Sequence, residues 1–185
     1  MALILVVGGA RSGKSSFAEK LCKDSGENVC YLATSKITDK DMADRIEKHR
    51  AQRPASWCTI EKYDDFESLA NDDSFNDSKV FLLDCITIMI TNIMFDQNVD
   101  YDTCSSQTID VVESTVFSEI RNLLHVMREN NKTLIMVSNE VGMGIVPSYR
   151  LGLIFRDIAG RVNQFLAAES DEVYNVICGL PQKLK

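Results

Sequence analysis

The sequence is poor in histidine and proline and contains no long hydrophobic run. Its 185 residues include 2 histidines and 3 prolines, and no stretch reaches the roughly 18 consecutive apolar residues of a transmembrane helix. Two histidines argue against a multi-histidine metal site. The six cysteines include no Cys-x-x-Cys pair, which argues against a zinc ribbon or a redox motif. The sequence therefore predicts neither a zinc protein nor a membrane-spanning one.

Acidic residues outnumber basic residues. Lys plus Arg number 20 and Asp plus Glu number 27, giving a formal net charge of −7. Because nucleic acids and anionic membranes repel such a chain at long range, we predict no nucleic-acid partner, while a local cationic pocket for phosphates stays compatible. The apolar residues 2–7 form a short run without a basic start, so we expect a buried strand rather than a signal peptide. A cytoplasmic protein with reduced thiols follows.

Short apolar runs alternate with longer amphipathic ones along the chain. We predict strands at 3–7, 29–33, 80–84, 133–138 and 173–178, and a weaker one at 57–62. Helices are predicted at 14–23, 41–53, 111–130 and 155–168, and a polar loop at 71–79. This alternation predicts an α/β fold with a mostly parallel sheet and helices on both faces. No repeat or linker interrupts it, so residues 1–185 are expected to form a single domain.

A phosphate-binding loop is the sharpest local signal. Residues 8–15 read Gly-Gly-Ala-Arg-Ser-Gly-Lys-Ser and fit the Gly-x-x-x-x-Gly-Lys-Ser/Thr pattern in full. Glycines let the backbone curl so that its N–H groups meet phosphate oxygens, and the helix that follows adds its dipole. Lys14 is expected to reach the β- and γ-phosphates, and the Ser15 hydroxyl to ligate Mg²⁺. The predicted nucleotide-binding residues of the loop are Gly8, Gly9, Ala10, Arg11, Ser12, Gly13, Lys14 and Ser15.

A second magnesium ligand is expected at the end of a neighbouring strand. The apolar run Val-Phe-Leu-Leu at 80–83 ends in Asp84, whose carboxylate would lie beside the phosphates and act through water. A helix N-cap is the alternative role for this residue. Together the two motifs predict a P-loop NTPase fold and a user of nucleoside triphosphates, and they do not choose among kinases, hydrolases and switches.

Four longer segments narrow the choice. They read Tyr-Leu-Ala-Thr-Ser at 31–35, Asp-Met-Ala-Asp-Arg-Ile-Glu-Lys-His-Arg at 41–50, Asn-Glu-Val-Gly-Met-Gly-Ile-Val-Pro at 139–147, and Phe-Arg-Asp-Ile-Ala-Gly-Arg-Val-Asn-Gln at 155–164. This set, in this order, resembles the bifunctional adenosylcobinamide kinase / adenosylcobinamide-phosphate guanylyltransferase family of cobalamin biosynthesis. The resemblance covers nearly the whole chain.

The resemblance implies an enzyme with two reactions. A nucleoside triphosphate first phosphorylates the aminopropanol hydroxyl of adenosylcobinamide. GTP then donates GMP to that phosphate through a guanylyl-histidine, giving adenosylcobinamide-GDP. The implied substrates are ATP, GTP and a corrinoid, the implied cofactor is Mg²⁺, and the implied assembly is a homotrimer with a RecA-like sheet. The alternatives are a single-activity P-loop kinase of a small molecule and a nucleotide-binding switch.

His49 matches the family's guanylylated histidine. On the predicted helix at 41–53, Arg45 and Arg53 lie four residues to either side of it, on one face. Two guanidinium groups oppose protonation of the imidazole and would neutralise phosphate charge during attack. From the pattern alone, a histidine on a charged helix is a surface residue. The family resemblance gives it the nucleophilic role.

For the remaining candidate site residues, a structural role explains the sequence as well as a functional one does. Thr34 and Ser35 follow a strand, where their hydroxyl groups would bind a phosphate or cap a helix. Glu61 would accept hydrogen bonds from guanine or ribose, or lie in solvent. Glu140 would orient substrate or metal. The methionine-rich residues 86–95 favour a core helix over a docking surface for the corrin ring.

Overall fold

A mostly parallel sheet organises the computed structural model, which describes residues 1–36 and 53–185. Six strands run parallel to their neighbours, and the seventh runs antiparallel to the sixth. The strand order is β3-β2-β4-β5-β1-β6-β7. The strands are β1 (Leu3–Gly8), β2 (Val29–Ala33), β3 (Cys58–Glu61), β4 (Val80–Asp84), β5 (Thr133–Asn139), β6 (Glu172–Ile177) and β7 (Leu180–Lys183).

Five α-helices are found among the described residues. They are α1 (Lys14–Asp24), α2 (Asp73–Asp77), α3 (Ile86–Asp96), α4 (Ser106–Glu129) and α5 (Arg150–Glu169), with a 3₁₀ helix at Phe66–Asn71. Each of the strands β1 to β5 is followed by chain that crosses to the next parallel strand, as parallel pairing requires. The α/β fold predicted from the sequence is confirmed.

Alternate side chains of the strands enter two separate hydrophobic clusters. On β4, Phe81 and Leu83 belong to the cluster that also holds buried residues of α3, α4 and α5. Val80 and Leu82 belong to the other cluster, which α1 covers with Ala18. Because neighbouring side chains of a strand point to opposite faces, helices cover the sheet on both sides.

Four predictions about helices and strands were wrong. The polar residues 71–79, expected to be a loop, contain α2, which begins where the Asp72 carboxylate accepts hydrogen bonds from the N–H groups of Ser74 and Phe75. Helix α4 begins at Ser106 rather than 111 because the Ser105 hydroxyl caps it. Helix α5 begins at Arg150 rather than 155. Strand β7 was not predicted, because none of its residues is buried.

The polar ends of the central strands meet at one edge of the sheet. Strand β1 ends at Gly8 beside Asn139 of β5, and β4 ends at Asp84 beside Val137. In an open parallel sheet this carboxyl edge is where ligands bind. The phosphate loop, Asp84 and the start of α3 therefore lie together.

Candidate functional site

The phosphate loop takes the backbone shape that its sequence predicts. Arg11 and Gly13 both have left-handed backbone torsions, with φ of 56° and 93°. Such reversals turn successive N–H groups toward one point and form an anion-binding concavity. Gly8 has no room for a side chain, since a Cβ there would lie 2.6 Å from the Ser12 Oγ and from the Val176 carbonyl oxygen. The Ser12 Oγ is buried and has no hydrogen-bond partner within the described structure.

Lys14 lies inside this loop. Its ammonium group donates to the Gly9 carbonyl oxygen at 3.0 Å, and the residue is 8% exposed. Burial lowers the pKa of Lys14, while the charges of Cys85 and then Asp84 act in the opposite direction. An ammonium group has three N–H donors, so two remain for phosphate oxygens when the bond to Gly9 is kept.

Asp84 lies at the end of β4, with one strand between it and the strand that leads into the phosphate loop. Its carboxylate faces Tyr31, whose pKa is raised by burial first and by Asp84 second. The guanidinium of Arg53 lies over the ring of the same tyrosine, 3.1 Å from the ring centroid. The Arg53 Nε is buried and has no partner among the residues that the structure covers. Phosphate loop, carboxylate and guanidinium thus share one edge of the sheet.

The Thr34 hydroxyl connects β2 to the chain after β4. It donates to the Cys85 carbonyl oxygen and accepts from the Cys85 N–H, both at 2.9 Å, and the residue is fully buried. Asn92 of α3 donates to the Thr34 carbonyl oxygen at 2.7 Å. These bonds fix the backbone next to Asp84, and the hydroxyl proton of Thr34 is used in one of them. The predicted contact of Thr34 with the nucleotide stays a prediction.

The turn between β6 and β7 contacts the phosphate loop and supports it. The Gly179 N–H donates to the Ser12 carbonyl oxygen at 2.7 Å. A Cβ on Gly13 would lie 3.0 Å from the Gly179 Cα, so the two glycines allow the turns to touch. The C-terminal hairpin therefore holds the loop in its phosphate-binding shape.

A network of amide and hydroxyl groups fixes the end of β5. The Ser138 hydroxyl donates to the Asn163 side-chain oxygen at 2.6 Å, and the Asn163 amide donates to the Asn139 carbonyl oxygen at 3.1 Å. The Asn139 amide donates to the Thr87 hydroxyl at 2.6 Å. Helices α3 and α5 are thereby linked through β5, beside the phosphate loop.

A cavity of about 330 Å³ opens next to the phosphate loop. It lies between Ala10 of the loop, the first turns of α3, the segment after β5, and α5. Its lining residues are Ala10, Thr87, Ile88, Thr91, Asn139, Glu140, Val141 and Phe155. Of these, the sequence had suggested Ala10 and Glu140. Thr87, Thr91 and Asn139 were missed as site residues. A polar side chain at or just after the end of an apolar strand is the signal that would have found Thr87 and Asn139.

Not every predicted residue lies beside the phosphate loop. Glu61 is exposed at the end of β3, and β3 is the outermost strand, four positions from β1. At about 4.8 Å per strand, that is roughly 19 Å away. Ser35 lies half-buried just after β2. Arg45 and His49 lie outside the described residues. His125, the second histidine, is exposed on α4.

The described residues contain neither an all-protein metal site nor a membrane span. No group of three or more His, Cys, Asp or Glu residues at 1–36 and 53–185 is placed to hold a metal ion. Within the same ranges, no helix has the length and apolar character needed to cross a bilayer. All six cysteines are free.

Comparison with known proteins shows the family of the chain. Residues 4–184 match the family model described as cobinamide kinase / cobinamide phosphate guanyltransferase. The chain is 46% identical to the bifunctional adenosylcobalamin biosynthesis protein CobU of Escherichia coli, over 99% of both chains. It is 45% identical to the CobU protein of Salmonella typhimurium, again over 99% of both. It is 36% identical to the CobP protein of Pseudomonas aeruginosa, over 98% of this chain and 96% of that one.

Among solved structures, a crystal structure of the RadB recombinase covers 94% of this chain and 73% of its own. The identity is 14% and the TM-score 0.45, which is too low to support an argument. The sequence relatives are much closer, and their alignments span essentially their full lengths. The chain therefore belongs to the cobinamide kinase / cobinamide phosphate guanyltransferase family.

Proposed function

We propose that this chain carries both activities of its family. It phosphorylates adenosylcobinamide with a nucleoside triphosphate, and it then transfers GMP from GTP to that phosphate to give adenosylcobinamide-GDP. The family match across residues 4–184 is the observation that carries the proposal. The phosphate loop alone would support only nucleotide use.

In the kinase reaction, the aminopropanol oxygen of the acceptor attacks the γ-phosphorus of ATP or GTP. A new O–P bond forms, the bond between that phosphorus and the β,γ-bridging oxygen breaks, and the nucleoside diphosphate leaves. The phosphate loop positions the triphosphate, and Lys14 neutralises charge on its β- and γ-oxygens. Asp84 and Glu140 are the nearby carboxylates available to accept the hydroxyl proton. Preorganised N–H groups and one buried ammonium suit this chemistry, which depends on positioning and charge.

Ser15 and Asp84 are the residues that would hold Mg²⁺. One hydroxyl and one carboxylate are a sparse donor set, yet Mg²⁺ in phosphotransferases is held by one or two protein groups together with phosphate oxygens and water. The donor chemistry therefore fits. When bound, the ion would neutralise charge on the transferred phosphate.

In the transferase reaction, the His49 imidazole attacks the α-phosphorus of GTP. An N–P bond forms, the α,β-bridging P–O bond breaks, and pyrophosphate leaves. The acceptor phosphate then attacks the same phosphorus and releases the histidine. Arg45 and Arg53 neutralise phosphate charge in this step. The family resemblance supports the roles of His49 and Arg45. For Arg53 there is added support, since its Nε is buried and has no hydrogen-bond partner among residues 1–36 and 53–185.

The proposal extends to nucleotide contacts and assembly. Ser35 and Glu61 are assigned to the nucleotide because they lie at the carboxyl ends of neighbouring strands, where nucleotide sites form. The Thr34 hydroxyl is bonded to Cys85, so a nucleotide contact of Thr34 stays a prediction. At roughly 19 Å from β1, Glu61 would reach the guanine or ribose end rather than the phosphates. A homotrimer follows from the family resemblance. A cytoplasmic location is supported by the six free thiols.

Labelling with GTP tests the transferase half. The protein is incubated with Mg²⁺ and GTP labelled at the α-phosphate, without acceptor, and is then separated on a denaturing gel. We expect an acid-labile, base-stable label that His49→Ala abolishes. His125→Ala is the matched control, since His125 is an exposed histidine on α4 and its replacement should leave the label intact.

The kinase half has an independent readout. Transfer of a γ-phosphate label to adenosylcobinamide should persist in His49→Ala and disappear in Lys14→Met. A protein that phosphorylates the acceptor but never incorporates the GTP label would be the single-activity kinase, the alternative that the family match disfavours. Consumption of neither ATP nor GTP would refute both.

A further inference from the structure

We infer that the 330 Å³ cavity beside the phosphate loop receives the alcohol-bearing arm of the acceptor, with Thr91 and Phe155 marking the point where the arm enters. This inference rests on the proposed function and assigns its acceptor site. The kind of group recognised is a short, amide-linked secondary alcohol with a methyl substituent. The large ring system to which the arm is attached stays outside the cavity.

The position of the cavity is the first support. Ala10, within the phosphate loop, forms part of its wall, so a hydroxyl group inside lies next to the place where the loop holds a triphosphate. Phosphoryl transfer needs the attacking oxygen roughly in line with the leaving oxygen. A pocket that opens beside the loop supplies such an approach.

The cavity wall has polar and apolar residues that match the polar and apolar groups of the arm. Thr87, Asn139 and Glu140 supply polar groups, while Ile88 and Phe155 supply apolar surface. The Glu140 carboxylate accepts from the Gly142 and Met143 N–H groups at 2.7 and 2.9 Å. A carboxylate has about four lone-pair positions, so it retains capacity for a hydroxyl proton. The apolar wall suits the methyl and methylene groups of the same arm.

The volume of the cavity is large enough for the arm and too small for the ring. A cavity of about 330 Å³ is near the lower end of the roughly 300–1,000 Å³ that small-molecule sites occupy. It accommodates a short arm but not a macrocycle. A smaller pocket of about 150 Å³ adjoins it, sharing Thr91 and Phe155 and adding Met94, Phe95 and Tyr149. No phosphate-loop residue lines this second pocket, so an apolar ring edge that rests there would stay away from the transferred phosphate.

Contacts with α5 hold the segment after β5, which forms part of the cavity wall. Arg156 of α5 donates to the Gly142 carbonyl oxygen at 2.9 Å and holds the segment after β5 in place. Gly152 lies under the same segment, since a Cβ there would come within 2.7 Å of the Pro147 Cβ and 2.8 Å of the Tyr149 ring. A preformed wall of this kind reduces the ordering cost of binding.

Narrowing the passage between the two pockets at Thr91 tests the inference. Thr91→Met adds bulk where the two pockets meet, and methionine is well tolerated in a helix. The KM for adenosylcobinamide should rise at least about tenfold, since one methylene in a tight pocket changes discrimination by ~10–200-fold. The KM for ATP should stay within about twofold, because the nucleotide binds elsewhere.

Thr115→Met is the matched control. Thr115 also lies on an α-helix, and its hydroxyl donates to the carbonyl oxygen four residues earlier, at 3.1 Å. Thr91 makes the same bond at 2.9 Å, but Thr115 is on α4 and lines neither pocket. Its replacement should change neither KM. Val141→Met, which fills the cavity from the segment after β5, provides a second variant and should reproduce the effect of Thr91→Met.

The outcomes separate this inference from the proposed function. A wild-type protein that does not phosphorylate adenosylcobinamide refutes the proposed function and the acceptor site with it. An active wild-type protein whose acceptor KM is unchanged in both Thr91→Met and Val141→Met refutes the acceptor site alone. Equal increases in the Thr91 and Thr115 variants, or a parallel rise in the KM for ATP, would also overturn it.

Discussion

Replacing Thr34 by valine removes a hydroxyl and keeps the shape of the side chain. The two hydrogen bonds of that hydroxyl, both 2.9 Å long, satisfy the N–H and the carbonyl oxygen of Cys85. Thr34 is fully buried and Cys85 is 8% exposed, so water cannot easily replace the lost partner. The Cys85 carbonyl oxygen still accepts from the Met89 N–H at 3.1 Å, so only the Cys85 N–H loses its partner. Leaving one buried backbone group unsatisfied costs about 1–3 kcal/mol, which is a substantial part of the roughly 5–15 kcal/mol by which domains are stable.

Thermal unfolding followed by circular dichroism measures this loss. For a chain of this length, each kcal/mol lowers Tm by about 2–4 °C. Thr34→Ser keeps the hydroxyl and should recover most of the difference. Thr59→Val is the control, because Thr59 is exposed on the neighbouring strand β3 and such a change falls within about 0.5 kcal/mol.

Nucleotide affinity decides between the two roles of Thr34. If its hydroxyl is structural, Thr34→Val lowers Tm strongly, and the folded fraction binds ATP with a Kd close to that of the wild type. An unchanged Tm together with a tenfold higher Kd for ATP would refute this reasoning and indicate that the Thr34 hydroxyl binds the phosphates.

Three further changes test the same edge of the sheet. Gly8→Ala places a Cβ about 2.6 Å from the Val176 carbonyl oxygen, so we expect a large fall in Tm and loss of nucleotide binding by calorimetry; a wild-type Tm would contradict the packing. Burial lowers the pKa of Lys14 from its ordinary 10.5, and only the ammonium binds phosphate. Nucleotide affinity should therefore fall with rising pH before 10.5 is reached, whereas Lys14→Arg should bind equally across that range. Asn163→Leu removes the partners of Ser138 and Asn139 and should destabilise the protein by about 2–4 kcal/mol in urea unfolding; a loss below 0.5 kcal/mol would show that the network is dispensable.

The apolar strands were predictable because burial on both faces leaves a continuous hydrophobic run. Strands β2 and β4 have the predicted boundaries, and each is flanked by polar residues that end the run. The phosphate loop was predictable for a different reason. Its function requires glycine at fixed spacing, so the backbone constraint is visible in the sequence itself.

The exposed and capped elements were not predictable in the same way. Strand β7 consists of exposed residues and exists because β6 offers it hydrogen bonds. Helix α4 begins five residues before its predicted start, where Ser105 provides the cap. The cavity lining depends on how α3, β5 and α5 meet, and such a meeting of distant segments leaves no local pattern.

The hydrogen bond between Gly179 and Ser12 has a consequence during synthesis of the chain. Ser12 is translated long before Gly179, whose N–H fixes its carbonyl group. A nascent chain on the ribosome therefore lacks that donor until residue 179 has been added. We expect a polypeptide that stops before residue 179 to lack part of the support of its nucleotide site and to bind ATP and GTP more weakly.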